Sequence, residues 1–260
     1  MDFYTIVAAL LSGGLIGLVL GLVGGGGSIL AVPLLVYVVG VGSTHAAIGT
    51  AAVAVAVNAL ASLFGHARAG HVKWRCASVF TLFGMIGASC GAEMGKAFDG
   101  KRLLLLFGLV MIGVGLSLLR QRRTREAPDV RLTRDNAATL LVRLVPIGLG
   151  VGFAAGFFGI GGGFLIVPGL ILATAMPMSF AVGTSLVVVS ALGLTTAASY
   201  AASGFVDWPI TALLIAGGVA GTVIGIALGK TLGARKGLLE KGLAAAIVMI
   251  GIYIIGSSWV

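Results

Sequence analysis

Ten apolar stretches recur along the chain, parted by short polar or glycine-rich breaks. They run 3–23, 28–41, 45–65, 75–92 and 102–119, then, after a polar run at 120–137, 138–158, 163–175, 179–202, 208–228 and 238–259. A helix needs about 20 residues to cross a hydrocarbon core. Most of the stretches meet that length. The exceptions, 28–41 and 163–175, are short, and each follows a glycine cluster. The pattern predicts an all-α polytopic membrane protein whose two short helices are interrupted.

The two sets of stretches are copies of one unit. Gly21-Leu-Val-Gly24-Gly25-Gly26-Gly27-Ser28-Ile-Leu30-Ala-Val32-Pro33 aligns without a gap on Gly156-Phe-Phe-Gly159-Ile-Gly161-Gly162-Gly163-Phe-Leu165-Ile-Val167-Pro168. After one deletion, Ile48-Gly49-Thr50 pairs with Val182-Gly183-Thr184, and Gly70-His-Val72-Lys-Trp74 with Gly204-Phe-Val206-Asp-Trp208. An apolar composition supplies chance matches of Gly and Val, but not paired Pro and Trp at matching separations. The reading is a first transmembrane repeat over 1–119, an Arg-rich cytoplasmic linker over 120–137 and a second repeat over 138–260, a duplication of the kind transporters carry.

Charge sets an orientation. Only 10% of residues are charged and 58% are hydrophobic, too little charge to coat a water-facing surface. The net charge is +9, and seven of the 17 basic residues fall in one region, Arg120, Arg122, Arg123, Arg125, Arg131, Arg134 and Arg143, without interleaved aromatics. That is the positive-inside pattern rather than a nucleic-acid surface. If the short stretches cross, each half has five spans and the halves are inverted. Arg68, Lys73, Arg75, Lys230, Arg235 and Lys236 then lie inside with the linker, both termini lie outside, and only Lys96, Lys101 and Arg102 break the rule. The N-terminus lacks the basic region of a secretory signal, so the first stretch reads as a mature span. Cys76 and Cys90, on one predicted helix, stand roughly 21 Å apart and form no disulfide.

Candidate chemistry starts at the glycine clusters. In lipid a broken helix is tolerated only where it lines protein or water. A short helix starting at Gly24–Ser28 or Gly159–Gly163 would point N–H groups and a positive dipole end into the break, an arrangement that suits an anion. Packing is the competing explanation for so many glycines, 43 in all. The third helix of each half carries a polar stripe: Thr50, Asn58, Ser62 and His66 in one, Thr184, Leu192, Thr196 and Tyr200 in the other, with Ser185, Ser190 and Thr195 nearby. The expected substrate site is Gly24, Gly25, Gly26, Gly27, Ser28, Thr50, Asn58, Gly159, Gly161, Gly162, Gly163, Thr184 and Ser185. No Asp or Glu lies between Phe3 and Ala92 or between Asn136 and Val206, whereas cation-coupled carriers usually hold a carboxylate in the membrane. No cofactor, metal or nucleotide-loop motif is present, and no serine, threonine or histidine has an acid–base partner that would suggest an enzyme.

The paired motifs at 21–33 and 156–168, the two Gly-Thr pairs and the Gly-x-Val-x-Trp turns resemble TauE/SafE-type permeases over roughly residues 5–256. The resemblance implies a bacterial inner-membrane transporter that exports small sulfur-containing anions such as sulfite, sulfoacetate and other organosulfonates. The sulfur is implied by the resemblance alone. The expected partners are such an anion and membrane lipid, with no nucleic acid, and a homo-oligomer is left open. A passive anion channel and a non-transporting assembly or sensor subunit are the alternatives.

Overall fold

The computed structural model describes residues 2–120, 137–159, 163–231 and 236–258. Its elements follow the apolar stretches closely. They are α1 (Phe3–Val23), a 3-10 helix (Gly24–Leu30), α2 (Ala31–Pro33) running into a π-helical turn (Leu34–Val39), α3 (Thr44–Arg68), α4 (Trp74–Ala97), α5 (Gly100–Arg120), α6 (Ala137–Phe158), α7 (Gly163–Thr174), α8 (Met178–Ala202), α9 (Trp208–Thr231) and α10 (Lys236–Ser258). Among the described residues there is no strand. Among the described residues, seven helices are long and apolar enough to cross a membrane, and two shorter apolar helices, Gly163–Thr174 and Ala244–Gly256, accompany them.

Three helix starts are capped by side chains that take a first unpaired N–H group. Ser43 Oγ accepts from Ala46 N–H before α3, Asp99 Oδ1 from Lys101 N–H before α5, and Asp207 Oδ1 from Ile210 N–H before α9. The left-handed residues mark the duplication. All six with positive φ among the described residues fall into three repeat pairs: Gly24 with Gly159, Gly40 with Ala175, and Gly70 with Gly204. The first member of each pair ends α1, the π-turn or α3, and the second ends α6, α7 or α8.

Packing follows the same exchange. α1 lies on α9 as α6 lies on α4; α3 packs on α9 as α8 packs on α4; α3 meets α8, and α5 meets α10. Glycine seams hold the first two pairs. Gly13, Gly17 and Gly21 face the carbonyls of Leu214, Gly218 and Thr222, while Gly217, Gly221 and Gly225 face those of Leu10, Gly14 and Leu18. Gly87, Gly91 and Gly95 of α4 likewise face the carbonyls of Leu149, Phe153 and Phe157. Both seams run parallel, because residue numbers rise together. Lipid tails are as apolar as leucine, so close backbone approach, rather than a hydrophobic drive, holds such pairs together.

Helices α3 and α8 run antiparallel to each other. The ring of His45, at the start of α3, lies 6.5 Å from Tyr200, at the end of α8, and Phe180, at the start of α8, lies 6.1 Å from His71, just past α3. These two helices form the centre: 67% and 61% of their most apolar windows are buried, against 33% for α5. The Tyr4 hydroxyl donates to the Val38 carbonyl at 3.3 Å, so residues 24–39 return alongside α1 towards the end where it began.

Candidate functional site

The two glycine breaks meet. Gly25 sits so close to Gly163 that an added Cβ would lie 2.5 Å from the Gly163 carbonyl oxygen. A Cβ on Gly163 would in turn strike the Gly25 carbonyl and stand 2.7 Å from Ser28 Oγ. Two hydroxyls close the group. Ser28 Oγ donates to the Gly25 carbonyl at 2.9 Å, and Ser185 Oγ donates to the Val182 carbonyl at 2.7 Å while accepting a long 3.4 Å bond from Gly25 N–H. Gly25, Ser28, Gly163 and Ser185 are all buried. The first break is a 3-10 helix rather than an open start: beyond Gly25 its N–H groups bond three residues back, which tightens the turn. Gly24 N–H reaches the Leu20 carbonyl, and Gly27 packs on α1, where a Cβ would lie 2.6 Å from Leu20 N. Gly26 is buried in the same turn. Gly161 and Gly162 lie outside the described residues.

The left-handed glycine at each break is covered by the opposite repeat. A Cβ on Gly24 (φ +71°) would lie 2.7 Å from Val182 Cγ1, and one on Gly159 (φ +66°) would run into Ile48. The next two residues in each covering helix reach further into that same repeat. Gly49 lies against the Phe205 carbonyl, and Thr50 Oγ1 accepts the Asp207 N–H at 3.0 Å. Gly183 lies against the His71 carbonyl, and Thr184 Oγ1 accepts the Lys73 N–H at 3.0 Å. The Gly-Thr pairs and the Gly-x-Val-x-Trp turns, two separate repeat signals in the sequence, are therefore in contact with each other. Glycine is needed so that a carbonyl can approach, and threonine because an N–H at the head of α4 or α9 needs an acceptor.

The remaining stripe residues face helix interfaces. Asn58 Nδ2 donates to the Leu214 carbonyl at 3.4 Å and lies over Gly218 of α9, while its buried Oδ1 has no partner. Ser62 Oγ donates to the Leu20 carbonyl at 3.4 Å. At the equivalent site Leu192 covers Gly84 of α4, Cδ1 standing 3.0 Å from where a Cβ would be. Asn58 is thus placed against α9. Tyr200, fully buried, lies with His45 and Phe205 in a ring cluster that corresponds to Phe180 with His66 and His71 at the opposite end. The pairing of those rings was not legible in the sequence, because it joins residues of different repeats.

Charge stays at the ends. Lys96 Nζ pairs with Glu93 Oε1 at 2.7 Å in the last turn of α4, where Ser199 donates to the same carboxylate and Ser203 accepts from Lys96. Lys73 Nζ rests 4.3 Å from the centre of the Phe180 ring. The residues at the meeting of the breaks are uncharged: the Gly25 N–H, the hydroxyls of Ser28 and Ser185, and the carbonyls of Gly25 and Gly163, with no counter-ion among them.

A family model described as "Sulfite exporter TauE/SafE" matches residues 9–254. The chain belongs to this family. The match covers both glycine breaks, both Gly-Thr pairs and both turns. A "Probable membrane transporter protein" of Xylella fastidiosa (strain 9a5c) is 47% identical over 259 residues, covering 100% of this chain and 98% of the relative. "Probable membrane transporter protein YunE" of Bacillus subtilis is 29% identical, covering 84% of this chain and 85% of the relative. One from Methanocaldococcus jannaschii, "Probable membrane transporter protein MJ0441", is 26% identical over 78% of each chain. No solved structure matches the chain significantly. The TauE/SafE chain is accordingly a multi-pass helical membrane protein of a transporter family.

Proposed function

We propose that the protein moves small sulfur-containing anions, such as sulfite, sulfoacetate or other organosulfonates, out across the bacterial inner membrane by alternating access. One observation carries the anion reading: the two breaks meet at Gly25 and Gly163 with the hydroxyls of Ser28 and Ser185 beside them and no carboxylate in the group. An oxyanion would draw on the Gly25 N–H, now in a 3.4 Å bond, and on the two hydroxyls beside Gly163 at the head of α7. Thr50 and Thr184 lie two residues beyond the break contacts at Ile48 and Val182, where each hydroxyl accepts a turn N–H and frames the site rather than lining it. A negative-inside potential drives an anion outward by about 2.3 kcal/mol per charge per 100 mV, so export requires no cation site. The choice of sulfur over carbon oxyanions rests on the family description.

Two repeats in inverted topology, 1–119 and 138–260 joined by the linker 120–137, would supply the alternation. The antiparallel run of α3 and α8, the return of residues 24–39 along α1, and the exchange of packing partners between halves support this. The linker would face the cytoplasm and both termini the outside. The test is a thermal-shift panel on the purified protein with sulfite, sulfoacetate, taurine, sulfate and acetate. Stabilisation by sulfite or a sulfonate, and its loss in Ser185→Ala, is expected. Equal, negligible shifts for all five would refute the anion site.

A further inference from the structure

Each Gly-Thr pair, with the residue before it, touches both the glycine break and one end turn of the opposite repeat through three consecutive positions. Ile48 covers the left-handed Gly159, Gly49 admits the Phe205 carbonyl, and Thr50 holds the Asp207 N–H. Val182, Gly183 and Thr184 do the same to Gly24, His71 and Lys73. The turns they hold are otherwise bonded within their own repeat: His71 N–H goes to the His66 carbonyl at 3.1 Å, and Phe205 N–H to the Tyr200 carbonyl at 3.0 Å. The last link before the next helix, Lys73 before α4 and Asp207 before α9, takes its acceptor from the other repeat.

We infer that Ile48-Gly49-Thr50 and Val182-Gly183-Thr184 are the two gates of the protein, each coupling the central break to one mouth. This rests on the transport reading above and deepens it: Thr50 and Thr184 act as positioning residues that control access. The three contacts lie within less than one turn of a rigid helix, so they cannot part separately. If α9 swings from α3, the Asp207 N–H leaves Thr50, the Phe205 carbonyl leaves Gly49, and Ile48 shifts on Gly159. Opening at an end therefore reaches the break at the centre, and a change at the break reaches the end. Both gates are shut in this structure, with both hydrogen bonds at 3.0 Å, which corresponds to an occluded state. The pairing also explains why three consecutive residues, rather than a single hydroxyl, recur in both halves.

The test uses the full chain in proteoliposomes, with Cys76→Ala and Cys90→Ala as background. Pairs of cysteines at one gate, Thr50→Cys with Asp207→Cys or Lys73→Cys with Thr184→Cys, are bridged by oxidation or by a short bifunctional thiol reagent. Bridging either gate should cut sulfite counterflow by at least about tenfold, and reduction of the disulfide should restore it. Undiminished counterflow in fully bridged protein overturns the gates. Amide hydrogen exchange supplies an arm that needs no transport. Bridging one end should change exchange at the opposite turn, because the ends open in alternation; unchanged exchange there overturns the gates whatever the flux. Thr50→Ser, which keeps the acceptor, should behave like wild type, whereas Thr50→Val should change maximal rate and leave sulfite affinity within about twofold. A loss of affinity with an unchanged maximal rate would make Thr50 a ligand instead. If the unmodified protein moves no sulfite or sulfonate, the transport reading fails, and the exchange arm still decides whether the two ends are coupled.

Discussion

Adding one methyl group at the meeting of the breaks should damage both stability and transport. In Gly25→Ala the new Cβ would stand 2.5 Å from the Gly163 carbonyl oxygen, 2.8 Å from its Cα and 2.9 Å from its carbonyl carbon. An ordinary contact of this kind is about 3.5 Å, so the two backbones would have to part by roughly 1 Å. Neither side is a flexible side chain that could rotate away. Overpacking of this sort costs about 1–3 kcal/mol. The controls are glycines with open surroundings. A Cβ on Gly113, in α5, would have nothing within 4 Å, so Gly113→Ala should be neutral or gain up to about 1 kcal/mol from helix propensity. Coupling adds a second check. Gly25 and Gly163 press on the same contact, so Gly25→Ala with Gly163→Ala should cost less than the sum of the singles. Gly25→Ala with Gly113→Ala should add to within about 0.5 kcal/mol. The assay is detergent unfolding of the purified protein, followed by anion flux after reconstitution. Wild-type stability and flux in Gly25→Ala would refute the close approach of the two breaks, and with it the placement of the site.

Other outcomes follow from the same contacts. Gly49→Ala and Gly183→Ala should each destabilise by about 1–3 kcal/mol, because a carbonyl of the opposite turn occupies the space, and melting curves of the two should resemble each other. Asn58→Leu should retain or raise the melting temperature, since Leu192 fills the equivalent place and the buried Asn58 Oδ1 has no partner to lose; a drop of more than about 1 kcal/mol would show that the amide is satisfied after all. Reporter fusions or impermeant thiol labelling should find both termini outside and the 120–137 linker inside; termini on opposite sides would exclude five crossings per half.

Most of the helix pattern was legible because lipid imposes a length and forbids unpaired backbone, so apolar runs and their breaks map directly onto helices. α1, predicted at 3–23, is observed at Phe3–Val23, and α6, predicted at 138–158, at Ala137–Phe158. The duplication was legible as matched Gly, Pro and Trp, and the left-handed pairs Gly24/Gly159 and Gly70/Gly204 carry it into the backbone. The state of the first break was not legible: Gly24–Leu30 winds as a 3-10 helix, since four consecutive glycines carry no side chains to favour one helical pitch over another. Nor was it legible that Thr50 and Thr184 hold turns of the opposite repeat, because a hydroxyl's partner 157 or 111 residues away leaves no local periodicity. The polar stripe faces protein, as polar side chains in a membrane helix must: Asn58 and Ser62 donate at 3.4 Å to the carbonyls of Leu214 in α9 and Leu20 in α1, the latter also taking the Gly24 N–H.

An uncharged site between two glycine breaks should carry sulfur oxyanions through the membrane. Counterflow tests this most directly: proteoliposomes loaded with unlabelled sulfite take up trace labelled sulfite, with and without a membrane potential. The expected result is saturable counterflow that sulfonates compete for, that Gly25→Ala abolishes, and that persists without a sodium or proton gradient. Flux that does not saturate and shows no counterflow would make the protein a channel. No flux of sulfite or any sulfonate from well-folded protein would contradict the sulfur-anion site altogether.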